Sequence, residues 1–223
     1  MINLIIFDCD GVLVDSEIIA NRIDVETFKQ FGYLTSVEEC IKRFSGIDVK
    51  NTRRIIREES AVDIPYEIFE DIQEKILTTF SDELLPLMTD VLIEVTRQNI
   101  PRCVASSSQK ERVSYSLELT GQLQFFEQNH IFTSQQVTHG KPAPDLFLFA
   151  AKQMNCLPEN CLVIEDSPPG IEAAKAAGMH VIGFTGGSHA HFSWYQDRLR
   201  KYNIPLAKNS AEVLSFIKTL SLQ

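Results

Sequence analysis

The sequence predicts an α/β protein: a doubly wound parallel sheet whose first crossover is interrupted by a helical domain. Three observations predict it. Short runs that are apolar throughout, such as Leu4-Ile5-Ile6, read as strands buried on both faces of a sheet. These runs alternate with amphipathic stretches, which is the rhythm of βαβ units. Between Ser16 and about Ser81 the rhythm breaks into helical patterns without a strand, a stretch far longer than an ordinary crossover.

The elements follow in order. Asn3–Phe7 is the first strand. The insert holds helical patterns at Ile18–Phe31, Val37–Phe44, Asn51–Glu59 and Tyr66–Phe80. The amphipathic stretch Asp90–Gln98 leads into a strand at Arg102–Ser106. Lys110–Thr120 is a helix, Ile131–Thr133 a strand, and Pro144–Met154 a helix. Cys161–Glu165 is a strand, followed by a helix at Pro169–Ala177 that has Pro near its start and Gly178 just past its end. His180–Phe184 is the last strand. The predicted division is residues 1–15 and 86–223 for the α/β core and 16–85 for the helical insert.

The chain has 223 residues, 44% hydrophobic and 23% charged, with a formal net charge of -9. An acidic surface repels phosphate backbones, so nucleic acid is not an expected partner. No apolar run reaches the length of a membrane span. The residues after Met1 show no basic region and no small-residue cleavage site, so a cytoplasmic protein, and a monomer, is the expectation. The five cysteines are odd in number and form no CxxC pair, which fits free thiols in a reducing compartment. Cys9 lies between two aspartates and, in extended chain, points to the opposite face from theirs.

Ligands of open parallel sheets bind beyond the carboxyl ends of the strands. Asp8 and Asp10 follow the first strand. Ser106, Ser107 and Ser108 follow the second, Lys141 stands before the helix Pro144–Met154, and Glu165 and Asp166 follow the Cys161 strand. Carboxylates repel one another and resist burial. A hard divalent cation such as Mg²⁺ reconciles them, because it takes one or two carboxylates and leaves places for water and substrate phosphate. Asp8 and Asp166 are natural ligands. A carboxylate can also attack phosphorus, and a second carboxyl group can carry the proton.

These residues resemble the haloacid dehalogenase superfamily of phosphohydrolases. Its first motif, D-x-D-G-x-[LV]-x-D-[ST], stands here as DCDGVLVDS; its second is Ser106 in CVASSS; its third is Lys141 in GKPAPD; its fourth is Glu165-Asp166 in VIEDSPPGIEAAKAAG. The resemblance implies a Rossmann-like core with an inserted α-helical cap domain, and a Mg²⁺-dependent phosphatase of sugar or sugar-acid phosphates that works through an aspartyl phosphate. It implies Asp8 as nucleophile and metal ligand, and Asp10 as general acid/base with its backbone carbonyl on the metal. Asp166 becomes the other ligand with Glu165 close behind, and Ser106, Ser107 and Lys141 hold the phosphoryl group.

A sugar phosphomutase of the β-phosphoglucomutase kind is the rival. Phosphomutases of this branch typically place a histidine five residues after the aspartate that closes the first motif, where this chain has Ala20. They also tend to carry an arginine three residues after a cap glycine; counted from Gly46, this chain has Val49. Asp10 disfavours dehalogenase and phosphonate-hydrolase branches, for which the resemblance predicts a non-acidic residue. Asp15 is read as structural, Lys110 as a solvated helix lysine, and His189 and His191 as surface loop residues. In the insert, Arg43, Lys50, Arg53 and Arg54 are candidates for a substrate carboxylate or sugar.

Overall fold

The computed structural model describes residues 2–45, 47 and 49–221. Its contacts divide the chain into two compact units, Met1–Asp15 with Leu85–Gln223, and Ser16–Leu84. The boundary drawn at residue 85 moves by one: the Leu85 carbonyl accepts the Asp15 N–H at 2.9 Å, which ties Leu85 to the first unit.

The first unit opens with β1 (Leu4–Phe7), every residue of which is buried. The second unit holds α1 (Glu17–Gln30), α2 (Val37–Phe44), α3 (Val49–Ser60) and α4 (Tyr66–Glu83). Ser36 caps α2, its side chain accepting the Glu39 N–H at 3.1 Å, which satisfies one of the orphan donors of a helix start. The core of this unit centres on Phe28, which meets Phe44 edge-on with ring centroids 6.2 Å apart and Phe69 at 5.9 Å. Such aromatic pairs add to the burial of their area.

The first unit resumes with α5 (Thr89–Arg97), β2 (Arg102–Ser106), α6 (Lys110–Leu119), β3 (Ile131–Thr133) and α7 (Asp145–Gln153). It continues through β4 (Cys161–Glu165), α8 (Pro168–Ala176), β5 (His180–Phe184), α9 (Ser193–Arg200), β6 (Leu206–Ala207) and α10 (Ser210–Ser221). Among the described residues the sheet has the order β3-β2-β1-β4-β5-β6, with every neighbouring pair parallel. The order runs outward from β1 in one direction and from β4 in the other. Right-handed crossovers therefore put helices on both faces. The point of reversal lies between β1 and β4, whose register pairs Phe7 with Ile164. That register brings the residues after Phe7 beside those after Ile164, at the crevice where open α/β sheets bind ligands. No helix of the described residues is long and apolar enough to cross a membrane.

The strands read from apolar runs coincide with the observed ones, save that β1 starts at Leu4. The two-residue β6 and the helices α9 and α10 were not legible as elements: β6 is too short for a pattern, and α9 carries four charged or amide side chains in eight residues.

Candidate active site

The loop after β1 is set by backbone bonds before any side chain acts. The Cys9 carbonyl accepts the N–H groups of Leu13 at 2.9 Å and Val14 at 3.1 Å, and Gly11 N–H donates to the Val14 carbonyl at 2.8 Å. Gly11 turns with φ +78°, a conformation that favours glycine. A Cβ there would sit 2.0 Å from Asp166 Oδ2, so the missing side chain is what lets the two motifs approach. Cys9 itself is buried, and burial pushes its thiol well above the ordinary range.

Asp8 is buried at the end of β1, and Glu165 and Asp166 are buried at the end of β4. Their carboxylate oxygens lie within 4.8 Å of one another. Lys141 reaches into this cluster, 2.5 Å from Asp8 Oδ1 and 2.9 Å from Glu165 Oε1, with its ammonium 4.9 Å from the Phe147 ring centroid. It stands in a cis Lys141-Pro142 peptide. Glu165 is held at both oxygens, because Ser167 donates to Oε2 through its N–H at 2.5 Å and its hydroxyl at 2.9 Å. Ser167 caps α8, and Gly170 in its first turn leaves room for the Glu165 carboxylate, which a Cβ would meet at 1.8 Å.

The electrostatics follow from this packing. Burial pushes the Asp8 carboxyl well above the usual range; Lys141 works against that rise, and Glu165 and Asp166 add to it. Burial alone would lower the Lys141 pKa, but Asp8 and Glu165 overcome it and hold the ammonium charged. Three carboxylates thus face one ammonium. An added divalent cation would balance that charge, and an all-oxygen donor set suits a hard cation.

Asp10 stands apart from the cluster. Its carboxylate accepts the Ser108 hydroxyl at 2.6 Å and Arg112 Nη2 at 3.2 Å. Ser106 is buried at the end of β2, and its hydroxyl oxygen accepts the Ser108 N–H at 3.0 Å. Ser107 is exposed in the same turn, its carbonyl accepting the Ser134 hydroxyl at 2.8 Å. Asp15 accepts the Ser188 N–H at 2.9 Å and also the Ser188 hydroxyl, which fastens the first loop to the loop after β5.

Two residues change standing. His189 is not a surface residue: it is buried, with Nε2 2.8 Å from Asp166 Oδ2 and its ring edge-on to Tyr195 at 5.0 Å. His191 is exposed. The signal for His189 was its place beyond the carboxyl end of β5, the same rule that located the acids. Arg112 was missed because a single arginine in a helix beginning Lys-Glu-Arg looks solvated; its place in the first turn after β2 was the available sign. In the inserted unit, Arg43 bonds Tyr33 Oη at 2.9 Å and pairs with Glu59, Arg53 bonds the Ile64 carbonyl at 2.7 Å and Asp63 at 3.3 Å, and Arg54 pairs with Glu58 at 2.9 Å. Lys50, Arg53, Arg54 and Arg57 line an open pocket there with Glu58 and Asp63. Gly46, from which Val49 was counted, lies outside the described residues.

The protein is thus of the open parallel α/β class, with buried carboxylates and a lysine gathered beyond its central strands. Comparison with known proteins narrows the class. Residues 5–184 match the haloacid dehalogenase-like hydrolase family, and the chain belongs to it. The chain is 31% identical over 188 residues to the 6-phosphogluconate phosphatase of Escherichia coli (strain K12), covering 84% of this chain and 85% of that protein. It is 30% identical to the β-phosphoglucomutase of Bacillus subtilis (strain 168), covering 82% and 83%. Among solved structures, a haloacid dehalogenase-like protein of unknown function from Agrobacterium tumefaciens str. C58 superposes with a TM-score of 0.87 at 33% identity, covering 99% of this chain and 100% of that one.

Proposed function

We propose that the protein is a Mg²⁺-dependent phosphatase of small phosphorylated metabolites, sugar or sugar-acid phosphates, acting through an aspartyl phosphate on Asp8. The observation that carries this reading is the meeting of Asp8, Glu165, Asp166 and Lys141 at one sheet edge, with Asp10 held apart on Ser108 and Arg112. Hydrolysis in two steps needs both a nucleophile and a separate proton carrier. The similarity to 6-phosphogluconate phosphatase supports the substrate class.

In this reading an Asp8 oxygen bonds to phosphorus as the ester P–O bond breaks. Asp10 gives its proton to the leaving alkoxide. Asp10 then takes a proton from a water whose oxygen attacks the same phosphorus, the bond to Asp8 breaks, and inorganic phosphate leaves. Lys141 and the Ser106 hydroxyl hold the phosphoryl oxygens, with Ser107 beside them. Mg²⁺, held by Asp8, Asp166 and the Asp10 carbonyl, would neutralise charge on those oxygens. Glu165, engaged at both oxygens, fixes Lys141 from behind the cluster. The substrate in this reading is a small phosphate ester, with neither nucleic acid nor membrane expected as a partner.

Chelation is expected to abolish phosphate release, and Mg²⁺ to restore it. Ca²⁺ prefers more ligands at longer distance and is expected to restore little. Release of phosphate from an aryl phosphate in chelator, in Mg²⁺ and in Ca²⁺ checks this; full activity in chelator would remove the metal from the reading.

The 30% identity to β-phosphoglucomutase is the specific reason to keep a mutase as the second reading. A mutase must shield its aspartyl phosphate from water until a sugar hydroxyl arrives. Ala20 and Val49 replace the two residues that the phosphomutase pattern uses for that gating, so water is expected to take the second step. Incubation with β-glucose 1-phosphate and a trace of bisphosphate, followed by phosphorus NMR, is expected to show inorganic phosphate. Glucose 6-phosphate forming faster than free phosphate would reverse the order of the two readings.

A further inference from the structure

The loop between β5 and α9 touches the acidic cluster at Asp166, and the two-step reaction leaves it without a task. Three contacts define it. Asp15 accepts both the N–H and the hydroxyl of Ser188, which pins the loop to the first motif. The next residue, His189, is buried and brings Nε2 within 2.8 Å of Asp166 Oδ2, with the ring set off the line of an ideal hydrogen bond. Tyr195 packs edge-on against that imidazole and donates its hydroxyl to the Asp166 backbone carbonyl at 3.3 Å. One segment therefore contacts the Asp166 side chain and hydrogen-bonds its backbone. Two glycines make the fit possible: a Cβ on Gly11 or on Gly187 would lie 2.8 Å from His189 Cε1.

We propose that His189 is a positioning residue for the metal site: its imidazole occupies Oδ2 of Asp166 and leaves Oδ1 as the ligand oxygen. The inference rests on the reading of Asp166 as a ligand. An ionised carboxylate only accepts, so an imidazole N–H facing it fixes which oxygen is spoken for and how the carboxylate is turned. Partners that orient a ligating carboxylate in this way are worth about 10- to 100-fold in metal affinity. Asp15 then has a task as well, since it fixes the residue next to His189 in the chain.

The test is calorimetric Mg²⁺ binding to the metal-free protein, without substrate, for the natural chain and for His189→Ala, His189→Gln and Asp166→Ala, each with a thermal melt. His189→Ala is expected to weaken Mg²⁺ binding about 10- to 100-fold. His189→Gln, which keeps an N–H donor at similar reach, is expected to recover most of that loss. The Mg²⁺ concentration for half-maximal turnover should rise in parallel in His189→Ala, with kcat recovered at saturating Mg²⁺. Mg²⁺ affinity in folded His189→Ala within twofold of the natural chain would overturn the proposal, as would His189→Gln binding no better than His189→Ala. If Asp166→Ala loses binding while His189→Ala keeps it, only the positioning role fails. If Asp166→Ala binds Mg²⁺ like the natural chain, the ligand reading itself fails.

Discussion

Asp8→Asn is expected to reduce phosphate release by about 10⁴-fold or more, because loss of a group that acts as a unit with its partners removes most of the catalysis. An amide is a poor nucleophile toward phosphorus and a weaker ligand for a hard cation. The fold should survive, and the sign can be worked out. Burial raises the Asp8 pKa above its unfolded value, so the native metal-free state binds the extra proton. Stability from that proton is full at acid pH and is lost as pH rises through the native pKa. Above that pKa the charged Asp8 stands against Glu165 and Asp166, and an amide there removes this repulsion while Lys141 keeps Glu165 as its partner. Turnover of an aryl phosphate beside a melt in chelator checks both halves. Activity within tenfold of the natural chain would sink Asp8 as nucleophile.

Lys141→Met is expected to be the second large loss, and it should show in two observables at once. The ammonium is almost wholly buried between Asp8 and Glu165. Breaking a buried ion pair from one side leaves charges uncompensated and costs about 3–5 kcal/mol. The urea midpoint of metal-free protein should fall accordingly. Turnover should fall by about 10²- to 10³-fold through loss of charge stabilisation on the phosphoryl oxygens. Adding Asp8→Asn to Lys141→Met should return part of the lost stability, since the two residues are in contact and their effects are not additive. A Lys141→Met protein as stable as the natural chain would contradict the burial argument.

How far the molecule could be read in advance depends on which force places each residue. Strands buried on both faces read as apolar runs, so β1 and the apolar middles of β2, β4 and β5 announce themselves. The insert is legible from the absence of such runs. The acids were legible because buried carboxylates are costly and need a reason to be where they are. The lysine and serine gained meaning from their order after the strands. His189 and Arg112 were not legible in the same way. Each is an ordinary surface residue by type, and only the tertiary approach of a loop or helix turn gives it a carboxylate partner. The same holds for Arg43 and Arg53, whose partners come from elsewhere in the inserted unit.

The register that sets Phe7 beside Ile164 also has a consequence for how the protein is made. Asp8 and Asp166 are adjacent in space yet separated by more than two thirds of the chain. At roughly 5–20 residues per second on the ribosome, the strand that leads into Asp8 emerges roughly 8–30 s before its neighbour β4. Until then β1 has β2 for a partner but one flank unpaired, and Asp8 lacks Glu165 and Asp166, with Lys141 arriving only shortly before them. The helical insert contains its own local contacts and can gather first, because local pairs close quickly while parallel long-range ones are slow. Phosphate release would thus appear only once the centre of the sheet is zipped, which makes the chemistry a late clock of biosynthesis and leaves the half-made chain chemically silent.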